Sequence, residues 1–136
     1  MKKYDAIIIG FGKGGKTLAA DLGNRGWSVA VVERSKEMYG GTCINIGCIP
    51  TKVLVHLSKV AQYNHYTTFE QRAEAFHKAI VEKRKITADL RQKNFDNLDS
   101  KDSVTVYTGT ASFRSPYEIE VKTEGETLVL QGEKIF

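Results

Sequence analysis

The spacing of apolar residues along the chain changes period several times, and each change predicts an element. Tyr4 to Ile9 is a short run of apolar residues, expected to be a buried strand. From Lys16 to Arg25 the period becomes helical, with Leu18, Ala19 and Leu22 on one face and Gly26 where a helix-ending glycine belongs. Trp27 to Glu33 is apolar again and predicts a second strand, which completes a βαβ unit. Further on, Val53, Leu54, Leu57, Val60 and Ala61 carry helical spacing to about Tyr63. Asn64 to Thr68 break it, and a second helix is expected from Phe69 to Phe95, with Ala73, Phe76, Ile80, Thr87 and Leu90 on one face.

The last third reads as strands. Asn97 to Asp102 is an expected turn, Val104 to Tyr107 a strand, Gly109-Thr110-Ala111 a tight passage, and Ser112-Phe113 its extension. Tyr117 to Lys122 and Thr127 to Gln131 alternate with period two around Glu124-Gly125-Glu126, which predicts a small antiparallel meander appended to a parallel sheet. Lys134-Ile135-Phe136 opens another apolar run, expected to begin a further strand. No cap or polar tail follows it, so the chain is expected to be a fragment.

Composition narrows this picture only a little. The 136 residues are 41% hydrophobic and 26% charged, as in an ordinary globular chain. The net charge of +4 is small and scattered, so nucleic acid is not an expected partner. No apolar run is long enough to span a bilayer. The apolar run after the N-terminal lysines is only Ala6 to Ile9, too short for a signal peptide, and a cytoplasmic location is the expectation. The charges of residues 69–95 are mixed and read as a solvated face rather than a docking surface. Tyr63 and Phe76 read as core or interface. His56, His65 and His77 fit no usual zinc spacing with the cysteines, so no metal site is expected.

Two motifs carry chemistry. Gly10-Phe11-Gly12-Lys13-Gly14-Gly15 fits G-x-G-x-x-G and has the context that gives the pattern meaning: a strand before, a helix after, and a second strand ending in Glu33. Gly10 allows the tight turn, Gly12 lets backbone approach a pyrophosphate, and Gly15 lets helix pack on strand. Glu33 is placed to bond an adenosine ribose. The second motif is Gly40-Gly-Thr-Cys-Ile-Asn-Ile-Gly-Cys-Ile-Pro-Thr-Lys52, which holds both cysteines of the chain, Cys43 and Cys48. As a staple, a loop this short is worth only about 2 kcal/mol, whereas as a reversible dithiol it is well placed. Pro50 favours the first turn of a helix, which puts Cys48 at or just before a helix N-terminus, where a thiolate is favoured. Lys52 adds a positive charge one turn away.

The combination resembles the N-terminal, FAD-binding part of the FAD-dependent pyridine nucleotide–disulfide oxidoreductases, the family of dihydrolipoamide dehydrogenase, glutathione reductase and mercuric reductase. Met38-Tyr39 and Cys-Ile-Asn-Ile-Gly-Cys-Ile-Pro-Thr-Lys are most similar to the subgroup linked to reactive-chlorine resistance. The resemblance implies an α/β fold: a Rossmann-like parallel sheet with a helical insertion and the small meander. Within one incomplete FAD-binding domain, 1–136, it gives a nucleotide-binding unit at 1–34, the redox motif at 40–52, a helical segment at 53–98, and a strand plus meander at 104–136. NAD(P)H-binding and dimerisation domains are expected to be absent.

It also implies FAD as cofactor and NAD(P)H as co-substrate of a homodimeric parent. Gly10, Gly12, Gly14 and Gly15 would face the pyrophosphate, and Glu33, with Arg34 beside it, the adenosine ribose. Gly41, Thr42 and Cys43 would line the flavin side, Lys52 would sit near the reactive ring nitrogen, and Ala111 near the adenine. Cys48 would lie against the flavin as the charge-transfer thiolate, and Cys43 would exchange with a small-molecule or metal-ion substrate. Two other readings are a non-catalytic truncated nucleotide-binding module and a small redox-sensing or metal-binding protein that uses the dithiol alone.

Overall fold

A computed structural model describes residues 1–136. In chain order the elements are β1 (Lys2–Ile9), α1 (Lys13–Asn24), β2 (Val29–Glu33), a 3-10 turn (Lys36–Met38), α2 (Thr42–Asn45), α3 (Cys48–Tyr63), α4 (Phe69–Asp99), β3 (Val104–Thr108), β4 (Thr110–Ser115), β5 (Glu118–Lys122) and β6 (Thr127–Ile135). The six strands form one sheet in the order β3-β2-β1-β6-β5-β4. β1 pairs in parallel with β2 and with β6, and β2 in parallel with β3. β5 runs antiparallel to β4 and β6. The α/β class, the parallel sheet and the meander expected from the sequence are all present.

The meander is not an appendage, however. β6 belongs to both halves: Leu130 lies opposite Ile119 of β5 and also opposite Lys2 of β1. Lys134 and Ile135, expected to open a new strand, continue this one, with Ile135 opposite Ile7. Gly132 gave the false break. A Cβ there would fall 2.8 Å from Ile7 Cγ1, so the glycine makes room for a core side chain inside an unbroken strand.

The helices also begin and end away from their sequence expectations. α1 starts at Lys13 rather than Lys16, taking Gly14 and Gly15 into its first turn. Gly15 is dictated by close packing, because a Cβ would strike the carbonyl oxygen of Gly10. α3, by contrast, starts at Cys48, where the sequence places a helix N-terminus, with Pro50 in the first turn, where its missing N–H costs nothing. α4 continues past Phe95 to Asp99 and absorbs half of the expected turn, because buried Leu98 draws its last turn onto the core.

The sheet buries both faces, which is why β1 and β2 read as continuous apolar runs. Ala6, Ile8, Val29 and Val31 face the helices and meet Phe11, Ala19 and Leu98. Ile7, Ala30 and Val32 face the other way and meet Ile119, Val121 and Leu130 of the meander. Chain connectivity explains how one sheet covers itself. β3 and β4 occupy opposite edges, yet Gly109 alone separates them. Its N–H donates to Glu33 O at 2.8 Å, and a Cβ on it would fall 2.6 Å from Lys122 O. The two edges therefore converge at this end and the sheet curls.

α4 is about 46 Å long at 1.5 Å per residue. Its C-terminal half packs on the sheet and α2. Its N-terminal half rests on α3 around an apolar groove of about 670 Å³ lined by Leu54, Leu57, Ala61, Tyr66, Phe76 and Ala79. On the face expected to be buried, Thr87 is buried and Ile80 and Leu90 are half-buried, but Ala73 and Phe76 are exposed. Tyr63 is exposed too, so neither aromatic belongs to this chain's core.

Candidate functional site

The glycine-rich turn and the cysteine motif meet backbone to backbone. Gly41 has φ +78° and a Cβ on it would fall 2.6 Å from Gly12 Cα. Gly41 cannot carry a side chain without separating the two motifs. Asn45 fixes the Gly40-Gly41 turn from within the second motif: its Nδ2 donates to Tyr39 O at 3.0 Å and to Gly41 O at 2.9 Å. Arg91 of α4 donates from Nε to Asn45 Oδ1 at 2.9 Å and pairs with Glu37. The Tyr39 ring lies between Phe11, at 5.1 Å, and Phe95, at 4.8 Å. Asn45, Arg91 and Tyr39 were missed as site residues. Asn45 stands inside the motif and was open to notice, whereas Arg91 is remote in sequence.

The glycine turn keeps an open mouth. A Cβ at Gly12 or Gly14 would meet nothing within 4 Å. Gly12 caps α1 without any side-chain bond, and the first turn holds no acidic residue, so its N–H groups stay available to an anion. Gly10 has φ +108° and donates its N–H to Val32 O at 2.8 Å, which ties the turn to the end of β2. Glu33 stands there as expected, but its carboxylate is engaged. Oε2 accepts from the Phe11 N–H at 2.9 Å and Oε1 from the Ser35 N–H at 3.3 Å. Beside it, Arg34 shares a polar cleft of about 310 Å³ with the Thr108-Gly109-Thr110 link. Ala111 follows in β4, half-buried opposite Val121 and packed against the meander-side core, and does not line that cleft.

Cys43 is the second residue of α2 and half-buried, and Cys48 is the first residue of α3 and exposed. Both are free thiols. The Cys48 thiol is the largest cause pushing the Cys43 thiol above its ordinary pKa, followed by burial. Lys13 and Lys52 pull the other way. Thr42 opens α2 and is exposed. Gly47 precedes Cys48 as an N-cap without a side-chain bond, and no acid stands in the first turn of α3.

A further lysine, not singled out from sequence, belongs to this cluster. Lys16 Nζ donates to Asn94 Oδ1, and Asn94 Nδ2 donates to Leu90 O at 2.7 Å. Burial is the main cause lowering the Lys16 pKa, the charge of Cys43 opposes it, and Lys13 adds to it. His56, His65 and His77 are all exposed. No group of three or more His, Cys, Asp or Glu side chains is arranged to hold a metal ion. No helix is long and apolar enough to cross a membrane.

A family model described as "Pyridine nucleotide-disulphide oxidoreductase" matches residues 4–130. RclA of Escherichia coli is 46% identical over 136 residues, which are 100% of this chain and 28% of RclA. A solved structure described as the Cu(II) complex of HOCl-induced flavoprotein disulfide reductase RclA superposes with a TM-score of 0.87, covering 100% of this chain and 28% of that one. Mitochondrial dihydrolipoyl dehydrogenase of Pisum sativum is 34% identical over 138 residues, covering 96% of this chain and 27% of the relative. The chain thus spans a little over a quarter of the length of these relatives.

Proposed function

The chain belongs to the pyridine nucleotide-disulphide oxidoreductase family, and from that premise we propose that it is the FAD-binding part of a flavoprotein that carries electrons from NAD(P)H through FAD to a Cys43–Cys48 disulfide and on to a disulfide, metal-ion or oxidant substrate. The observation that carries this reading is the junction of the two motifs. The dithiol is held against the mouth of the nucleotide turn by the Gly12–Gly41 contact.

The residues fit the cofactor. Open space in front of Gly12 and Gly14, with the unshared N–H groups of α1, suits a pyrophosphate beside Gly10 and Gly15. Glu33 stands at the ribose position, with Arg34 and the 108–110 link bounding the adenine end and Ala111 just behind it. Gly41, Thr42, Cys43 and Lys52 bound the flavin end. When bound, FAD supplies two-electron chemistry that the side chains lack. The protein's own part is then to present the sulfurs. Cys48 at the start of α3 faces the cofactor, and Cys43 exchanges with substrate. Two thiols five positions apart, one in α2 and one opening α3, can open and reclose as a reversible disulfide. RclA was solved as a Cu(II) complex, which supports a metal ion as one acceptor class.

The test is a visible absorbance spectrum of the purified chain after incubation with FAD, followed by anaerobic reduction. Bound flavin is expected, with a long-wavelength band that Cys48→Ser abolishes and Cys43→Ser retains. Flavin bound with a spectrum indifferent to Cys48 would instead support a non-catalytic nucleotide-binding module. No flavin uptake at all would leave the dithiol without its electron source and sink the proposal for this chain.

A further inference from the structure

Cys43 lies in a helix too short to hold its own place. α2 is four residues long, Thr42–Asn45, and buries only Ile44. A single turn fixes its backbone for too few bonds to persist unaided. The turn before it is left-handed at two successive positions, Gly40 with φ +88° and Gly41 with φ +78°. Asn45 ties turn and helix together. Its Nδ2 donates to the two carbonyls that bracket Gly40, Tyr39 O at 3.0 Å and Gly41 O at 2.9 Å. Its backbone N–H also donates to Gly41 O, at 3.2 Å, and the Gly41 N–H donates to Met38 O at 2.8 Å.

Arg91 sets the direction of that amide. A guanidinium has donors and no acceptor, so only the Oδ1 side of Asn45 can face it. Arg91 Nε donates to Oδ1 at 2.9 Å, which leaves Nδ2 aimed at the two carbonyls. The arginine is braced in turn: its side chain is only 23% exposed, and Nη1 pairs with Glu37. One turn further along α4, the Phe95 ring packs on Tyr39 at 4.8 Å, and Asn94 lies against Gly40, where a Cβ would come 3.3 Å from Asn94 Cγ. Residues 91, 94 and 95 thus support the 39–45 segment from the half of α4 whose Thr87 and Leu98 are buried. None of these bonds uses either sulfur.

Resting on the dithiol reading above, we propose that Arg91 is a positioning residue for the Cys43–Cys48 pair: acting through Asn45, it holds α2 in place and so raises the effective concentration of one thiol at the other. Closing the disulfide brings the second residue of α2 against the first residue of α3, across the Ile46-Gly47 link. The dithiol form needs no such alignment. Freeing α2 therefore disfavours the disulfide and leaves the dithiol unaffected.

The experiment equilibrates the full chain with graded mixtures of glutathione and glutathione disulfide and measures the oxidised fraction by alkylation and mass. For each Cys43–Cys48 bond closed, the two protein thiols lose two electrons and two protons, and one glutathione disulfide gains them as two glutathione thiols. Arg91→Met keeps the apolar stem and removes the donors. It is expected to shift the equilibrium constant roughly tenfold toward the dithiol, which is about 30 mV for this two-electron couple. Asn45→Leu is expected to shift it as far, and the double variant no further than either alone, because both cut one path. Glu37→Gln, which spares the Arg91–Asn45 bond, is expected to stay within about twofold of the unmodified chain. Where Arg91→Met does not fold, Asn45→Asp carries the same expectation, since it keeps an acceptor for Arg91 and sets a carboxylate oxygen against the two carbonyls. A constant for Arg91→Met or Asn45→Asp within about twofold of the unmodified chain, or shifts that add in the double variant, overturns the positioning role and leaves the dithiol reading intact. An unmodified chain that forms no Cys43–Cys48 disulfide in any mixture overturns the dithiol reading and this inference together.

Discussion

Gly41 has no room for a side chain and no backbone conformation that welcomes one. A single methyl there meets Gly12 Cα and adds left-handed strain. Gly41→Ala is expected to cost about 1–3 kcal/mol, read as a lower urea midpoint, and to weaken FAD uptake at the same time. The position was legible because Gly-Gly-Thr-Cys is a local string. The same holds for Cys43, Cys48 and Gly10-x-Gly12, whose spacing alone suggests their chemistry. Lys16 and Asn94 were not legible. Their partnership crosses 78 positions, and nothing in either neighbourhood announces it. Glu33 falls between these cases: its place could be read, but its bonds to Phe11 and Ser35 could not, because amide donors leave no trace in residue identity.

At the scale of elements, strand and helix types followed from period, while ends did not. Glycine was the usual cause. It reads as punctuation, yet Gly14 and Gly15 sit inside α1 and Gly132 inside β6, each where something else needed the space or tolerated its absence. α4 shows a different limit. Its N-terminus is fixed by a capping box: Gln71 N–H donates to Thr68 Oγ1 at 3.2 Å, and Thr68 N–H donates to Gln71 Oε1 at 3.3 Å. The half of α4 that follows has only α3 to rest on, and Phe69 and Phe76 stay exposed. Thr68→Ala is expected to remove about 1 kcal/mol locally. Because that half is weakly buttressed, the loss should appear as faster amide hydrogen exchange in the first turns of α4, with the strands unaffected. Exchange that quickens equally in β1 and β2 would show that α4 unfolds only with the whole domain.

The whole molecule depends on a sheet with two dry faces. Alternation within β1 sends Ala6 and Ile8 to the helices and Ile7 to the meander, and the continuous apolar run foretold this double burial. It did not foretell which element would cover the second face, because strand order is set by long-range pairing that no local pattern encodes. Leu130, fully buried on that face, is the test. Leu130→Ala is expected to cost about 2–5 kcal/mol, a large share of the roughly 5–15 kcal/mol typical of a domain. Phe76→Ala, on the exposed groove, should stay within about 0.5 kcal/mol. A chemical-denaturation midpoint for each variant distinguishes the two, and equal losses would mean that the groove is part of the cooperative core.

The pairing of β1 with β6 joins Lys2–Ile7 to Leu130–Ile135. One of the two neighbours of β1 therefore leaves the ribosome more than a hundred residues after it. At about 5–20 residues per second, β1 waits on the order of ten seconds with one edge open, while β2 is already available to the other. Its sequence in that interval is Ala-Ile-Ile-Ile, an apolar strand with an unpaired side and no proline. Such an edge invites pairing with other chains. For a growing polypeptide, the hazard therefore lies at β1, and it ends only when Gly132 and Ile135 reach their places beside Tyr4 and Ile7.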